Sequence, residues 1–240
     1  MCVNEKIKSI VVMLFVLTVT IIIPSCGGSK EITYEMKSLS QVIKAGDDTV
    51  VMDLTVNYPE LSGGSDKSTI EKLNMEFYYI ARIEYDKTAA DFSSEALESY
   101  DTGYVPMPYE FSTTVAVMYL KNDIISLLYT QYAYLGGAHP STYQISYIYN
   151  TKSGELLQPQ DIMGGTFDEV IAQVKQLFID DVNNHPDDYF ENAIEMINEL
   201  DDAVIRYYLD DTGLVFYINT YEIAPYSSGI RSVKIPFEVN

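Results

Sequence analysis

Tyr129-Thr-Gln-Tyr-Ala-Tyr-Leu-Gly136-Gly137-Ala-His139-Pro140-Ser-Thr-Tyr143-Gln-Ile-Ser-Tyr147-Ile-Tyr149-Asn150 is the stretch that decides the fold. It closes one Tyr-rich apolar run, breaks at two glycines, and opens a second run of period two. Tyr143, Ile145, Tyr147 and Tyr149 share one side of that run, with Gln144, Ser146 and Asn150 opposite. Upstream, Phe111 to Leu120 alternates in the same way. Lys121-Asn122-Asp123 is a tight turn, and Ile124 to Leu135 returns as the antiparallel partner. Three strands on short connections make a meander, and its apolar face needs a helical cover.

The cover lies just before it. Ser68-Thr-Ile-Glu71 has the form of a capping box, and Ile70, Leu73, Phe77, Ile80 and Ala81 follow at helical steps. The pattern fades from Ala89, and Thr102-Gly103 and Pro106-Met-Pro108 end it. Before the helix, Val50, Met52, Leu54, Val56 and Tyr58 line one side of a strand that Pro59 stops. After the meander, Thr166-Phe-Asp-Glu169 is a second capping box. Phe167, Val170, Ile171, Val174, Leu177 and Phe178 form the stripe behind it. A shorter helix spans 190–200. Strands follow at 204–209 and 214–219, then a kinked edge at Glu222-Ile-Ala-Pro-Tyr226 and a last strand over 232–239. Helices and strands are segregated. The expected class is α+β, with antiparallel meander sheets each covered by helices, in two related half-domains at 47–153 and 154–240.

The N-terminal segment reads differently. Lys6 and Lys8 precede an apolar run from Ile10 to Ile23, which is short for a membrane span of about 20 residues. Ile23-Pro24-Ser25-Cys26 then has the order of a lipobox, although Pro24 is unusual at its place. Residues 1–26 are expected to be a lipoprotein signal peptide, with Cys26 lipidated after cleavage and 27–46 a polar tether. Cys2 and Cys26 are the only cysteines, so the exported part would carry no thiol for a disulfide, for Cys catalysis or for Cys-ligated zinc.

The whole chain has 15 basic and 35 acidic residues, a net charge of −20; removing Glu5, Lys6 and Lys8 with the leader leaves 13 against 34, or −21. That balance argues against nucleic acid, which requires a basic footprint, and favours a cationic partner. Simple solubility is the plainer account of the same charge.

Motifs for chemistry are sparse. His139 and His185 are the only histidines, each followed by Pro. Together with Asp187 or Asp188 they match no ligand spacing, so no metal and no cofactor is expected. Ser141 beside His139 lacks the Gly-x-Ser-x-Gly elbow of a hydrolase. Gly136-Gly137 lacks the Lys and Ser/Thr of a phosphate loop, and a backbone role suits it better. Asp210-Asp211-Thr212-Gly213 has too few oxygens for a calcium loop and suits a hairpin turn. No catalytic residue is assigned. His139, Tyr143, Tyr147 and Tyr149 are the candidate binding residues. The Tyr series is a stacking platform on one reading, and a core face with hydroxyls at its rim on the other.

Tyr132-Ala-Tyr-Leu-Gly-Gly-Ala-His139, Tyr147-Ile-Tyr-Asn-Thr-Lys-Ser-Gly154 and Phe216-Tyr-Ile-Asn-Thr-Tyr-Glu-Ile-Ala-Pro-Tyr226 resemble the paired unknown-function domains of PdaC-like peptidoglycan deacetylases and RsiV-like anti-sigma factors. The resemblance implies extracytoplasmic α+β modules. In the anti-sigma factors they form a sensor for lysozyme; in the deacetylases they accompany a separate catalytic domain. Neither a deacetylase domain nor a cytoplasmic anti-sigma segment is legible in this chain. The expected function is a lipid-anchored, non-catalytic binding module of the bacterial cell envelope, facing periplasm or exterior. Its expected partner is a lysozyme-like cationic protein or a cell-wall glycan. The alternative is an envelope carbohydrate-active enzyme.

Overall fold

The computed structural model describes residues 31–103 and 108–237. The leader with Cys26, the helix stop at 106–107 and the end of the last expected strand lie outside the described residues.

Two sheets carry the fold. The first is five-stranded, in the order β1 (Thr33–Lys44), β2 (Val50–Ser62), β3 (Tyr109–Lys121), β4 (Ile124–Tyr134) and β5 (Ser141–Asn150). The second is three-stranded: β6 (Arg206–Asp210), β7 (Gly213–Ile218) and β8 (Arg231–Pro236), antiparallel throughout. The helices are α1 (Lys67–Asp101), α2 (Pro159–Met163), α3 (Phe167–Asn184) and α4 (Ala193–Glu199). The α+β class holds.

The chain divides into two compact units. One holds the described residues up to Val115 with Gln131–Thr142, and the other holds Ala116–Thr130 with the described residues from Tyr143 onward. In place of one boundary near Gly154, the chain passes between units three times, because β3, β4 and β5 each run through both.

In the first unit, the expected tether is largely a strand. β1 pairs antiparallel with β2 from Thr33↔Ser62 to Lys44↔Val50. Its polar residues hid an apolar side, where Leu39 and Ile43 pack on the core of Met52, Leu54 and Val56. Pro59 does not end β2. It pairs with Met36 of β1, while the parallel pairing of β2 with β3 covers only Met52 to Val56. A proline costs nothing on a side with no strand to receive its N–H. That β2–β3 pair corrects the all-antiparallel expectation: α1 carries the chain back to the sheet end where β2 began, and such a crossover makes neighbours parallel.

α1 also begins and ends differently. Asp66, not Ser68, is the N-cap, accepting from Ser68 N at 2.9 Å and Thr69 N at 3.4 Å. The hydroxyl of Thr69 and the two amides hold the Asp66 carboxyl below its ordinary range. The helix continues past Ala89, since its later buried positions include the small residues Thr88 and Ala96, which give no apolar rhythm. Phe77 is fully buried on its core side.

In the second unit, the Thr166–Glu169 box forms as expected, with Thr166 N donating to Glu169 Oε2 at 2.8 Å and Glu169 N to Thr166 Oγ1 at 3.3 Å. Val170, Val174 and Phe178 of α3 and Ile197 of α4 pack on Leu209, Leu214, Phe216 and Ile218, with Ile148 of β5 in the same core. Asn122 and Asp123 both take positive φ, as a two-residue hairpin turn of the mirror type demands.

β6 is an edge strand, and serines close that edge. Leu209 N donates to Ser126 Oγ at 2.9 Å, and Ser146 Oγ donates to Tyr207 O. Tyr217 OH donates to Ser146 Oγ at 3.0 Å. Side-chain hydroxyls thus satisfy backbone groups that another strand would otherwise take.

Candidate functional site

The residues 219–226 form a loop after β7, not the expected kinked strand edge. Ile223 and Ala224 are buried and pin it to the core. Tyr221 N donates to Ala224 O at 2.9 Å, and Phe190 N donates to Ile223 O at 3.2 Å. Asn219 is 2% exposed; its Oδ1 accepts from Gln144 N at 2.8 Å and its Nδ2 donates to Gln144 O at 3.0 Å. One amide side chain thereby completes the backbone pairing of a β5 residue.

Glu222 fixes the loop from the other side. It accepts from Asn219 N at 2.7 Å and from both ends of the Arg206 guanidinium, at 3.0 and 3.2 Å. This two-pronged fork is the geometry that makes an Arg–carboxylate pair specific. Arg206 also donates to Val204 O at 2.6 Å and to the Tyr143 hydroxyl, and its guanidinium carbon lies 4.8 Å from the Tyr143 ring centre. A cation over a ring face at this distance is attracted by the ring's quadrupole.

One tyrosine touches the fork, and two more stack on each other in the loop that the fork ties down. Tyr143 is 37% and Tyr221 56% exposed. Tyr226 stacks on Tyr221 with ring centres 6.0 Å apart and planes 25° from parallel. Tyr221 has φ 68°, a left-handed conformation rare for a bulky residue. Such strain persists only where surrounding bonds over-determine it, and the Asn219–Glu222–Arg206 ties do so here. The loop presents a stacked pair of rings, and Tyr143 lies against the ion pair that holds the loop in place. It is suited to holding a surface, and its carboxylate is already engaged by three donors.

Of the four residues expected to bind, the structure brings Tyr143 into this group. Tyr147 lies in a ring series, edge-on to Tyr129 at 5.8 Å and tilted to Tyr149 at 6.2 Å. Tyr149 is 6% exposed and so offers little to a ligand. His139 is exposed on its loop, and its Nδ1 donates to the carbonyl of Pro140 at 2.8 Å. Gly136 has φ 79°, the backbone role foreseen for that glycine pair. Arg206, Asn219 and Glu222 were not singled out from sequence. Their pairing is long-range, and the one local sign was the Asn-x-x-Glu spacing.

A second polar group sits at the end of α3. Asp181 accepts from Tyr189 OH, from Arg231 at 2.9 Å and from His185 Nδ1 at 2.9 Å; Arg231 also reaches Asp188 at 3.2 Å. Arg231 stands 4.6 Å from the Tyr189 ring centre. Burial and then the Asp181 bond push the Tyr189 hydroxyl up to about 12. Burial would raise the Asp181 carboxyl, but bonds from Tyr189, Arg231 and His185 outweigh it and hold the group low. His185 and Asp188, considered as metal ligands, are members of this ion-paired group. Among the described residues no group of three or more His, Cys, Asp or Glu could hold a metal ion.

The fold and the site define a class first: an α+β protein of two units with an aromatic surface group on the second. The comparisons then give its relations. Residues 45–142 match the family described as deacetylase PdaC, and residues 165–238 match a family described as protein of unknown function, DUF3298. A DUF3298-family crystal structure from Bacteroides fragilis is 17% identical with TM-score 0.61, covering 88% of this chain and 93% of that one. Another, from Pseudomonas aeruginosa, is 15% identical with TM-score 0.53, covering 85% and 91%. At these identities the likeness concerns the fold. No curated protein matches the chain.

Proposed function

We propose that the protein is a lipid-anchored, non-catalytic binding module of the bacterial cell envelope, carrying its lipid on Cys26. The observation that carries the binding reading is Tyr221, exposed and strained, in a loop whose polar residues are spent on holding it. The envelope setting draws support from the two matched families and from the lipobox order of Ile23 to Cys26. Among the described residues no helix is long and apolar enough to cross a membrane, which is compatible with lipid attachment.

The ligand class follows from charge. A chain with 35 acidic against 15 basic residues attracts cationic proteins, and a lysozyme-like hydrolase is the partner we propose. Capture of hen lysozyme at low and at moderate salt tests this. The expected result is binding at both, weakened by salt and lost in Tyr221→Ala; absence at both removes the protein ligand. Titration with soluble peptidoglycan fragments then tests the wall glycan, for which stacked tyrosines are also suited.

The description of the first matched family motivates a second reading, an enzyme acting on envelope carbohydrate. Peptidoglycan fragments incubated with the protein and followed by mass spectrometry would gain or lose mass. Unchanged masses across pH and added metals would remove it.

A further inference from the structure

Helix α1 leaves an apolar stripe uncovered. Met75 is 73%, Tyr79 62% and Ile83 52% exposed, and four-residue steps place all three on one outer face. Tyr78, 41% exposed, flanks the stripe and meets the Tyr58 ring edge-on at 5.6 Å. Three neighbouring large apolar side chains on one helix face are unusual for a free surface.

Charge sets the same part of the helix apart. From Lys67 to Lys87 there are four basic and four acidic residues; from Thr88 to Asp101 there are four acidic and no basic ones. In so acidic a chain, the stripe lies on a locally neutral segment.

The start of the described chain lies beside this segment. A Cβ on Gly63 would meet the Glu31 carbonyl oxygen at 2.1 Å, so the two backbones touch. A Cβ on Gly64 would lie 3.2 Å from the Ile70 side chain and 3.4 Å from that of Ile32. Ile32 therefore sits against the first turn of α1. Five residues separate it from Cys26, so the six steps between them reach at most about 21 Å. The stripe itself extends about 12 Å along the helix axis.

We infer that the Met75–Tyr79–Ile83 face of α1 rests on the bilayer surface into which the Cys26 lipid inserts. This rests on the lipid-anchor reading above. A short tether holds the first turn of α1 near the headgroups. Apolar side chains with tyrosine rings among them suit the interfacial layer, where a ring buries its face and keeps its hydroxyl wet. The neutral segment approaches an anionic surface without the repulsion that the acidic end of the helix meets.

With Cys26 lipidated and Cys2 removed, an introduced cysteine is the only free thiol. The lipidated mature protein, beginning at Cys26, is prepared as Tyr79→Cys, Ile83→Cys and Glu98→Cys, each labelled with a nitroxide. Each is reconstituted on vesicles of phosphatidylethanolamine and phosphatidylglycerol at about 3:1. The expected result is flotation of all three, with collisions of a water-soluble nickel chelate reduced severalfold at 79 and 83 but not at 98. Adding Met75→Glu should restore access at 79 while flotation continues. A protein that stays out of the vesicle fraction overturns the anchor and the docking together. Flotation with equal access at 79, 83 and 98 overturns the docking alone. Protection at 79 that is the same without vesicles assigns the face to a protein partner or a second copy, and also overturns it.

Discussion

Asn74 in the first unit and Asn219 in the second make the same two bonds in different settings. Asn74 Oδ1 accepts from Leu61 N at 2.7 Å and its Nδ2 donates to Leu61 O at 2.9 Å. That is the pattern Asn219 makes with Gln144. In each unit one amide side chain stands in for a missing strand. Asn74 does so at a half-buried position on a helix, whereas Asn219 is buried, lies at the start of a surface loop, and has its own backbone bonded to Glu222. A device that closes a strand edge thus becomes, at Asn219, the foundation of a surface group. The loop bearing Tyr221 is as firm as the strand to which Asn219 fastens it.

The largest expected effect separates the two asparagines. Asn219→Ala should cost about 3 kcal/mol, because it empties a buried side-chain site as well as breaking both bonds to Gln144; Asn74→Ala should cost about 1–2 kcal/mol, because the side chain it removes is half-exposed and the loss is confined to the two bonds to Leu61. Urea denaturation measures both, and equal losses would break the comparison. Asn219→Ala should also weaken ligand capture, while Asn74→Ala should leave it intact.

A smaller effect concerns how far the second unit depends on charge. Burial would raise the Asp210 carboxyl, yet bonds from Lys234 and Thr212 hold it at about 2, against an ordinary 3.8. A depressed carboxyl contributes stability that is complete above its unfolded value and is lost as pH falls through the folded one. Between about pH 4 and 2 the protein should therefore lose roughly 1 kcal/mol that Asp210→Asn does not lose, after allowance for solvent screening. Parallel pH–stability curves for the two would show the ion pair to be idle.

The smallest effect has the opposite sign. Tyr221→Gly removes left-handed strain worth about 1–2 kcal/mol and adds chain entropy worth about 0.5–1 kcal/mol, so stability should rise slightly. Binding should fall with the loss of the ring. A variant that is less stable and binds normally would make Tyr221 a packing residue.

Much of the fold was legible because its signals are local. The Thr166–Glu169 box, the Asn122-Asp123 turn and the stripe from Ile70 to Ala81 are set within a few residues. β1 was missed because Lys37, Ser38, Ser40 and Gln41 dilute its alternation, and its partner lies beyond a turn. The second half of α1 was missed because small buried residues carry no hydrophobic rhythm. The parallel β2–β3 pair depends on where a 35-residue helix delivers the chain, which no short window records. Of the site, Tyr143 was named from sequence. Arg206 and Glu222 were not, since they sit 63 and 79 positions from it along the chain and only folding joins them.

The strands shared between units bear on how such a protein can be cut or inherited. A polypeptide carrying only residues 165–238, the span of the second family match, would lack Ile148 from its core. It would also lack Ser126 and Ser146 on the β6 edge, leaving an open strand ready to pair with any neighbour. Such a fragment is expected to aggregate on expression. A gene fusion that moved it alone would leave the β6 edge open, and residues 126–150 would have to move with it to close that edge.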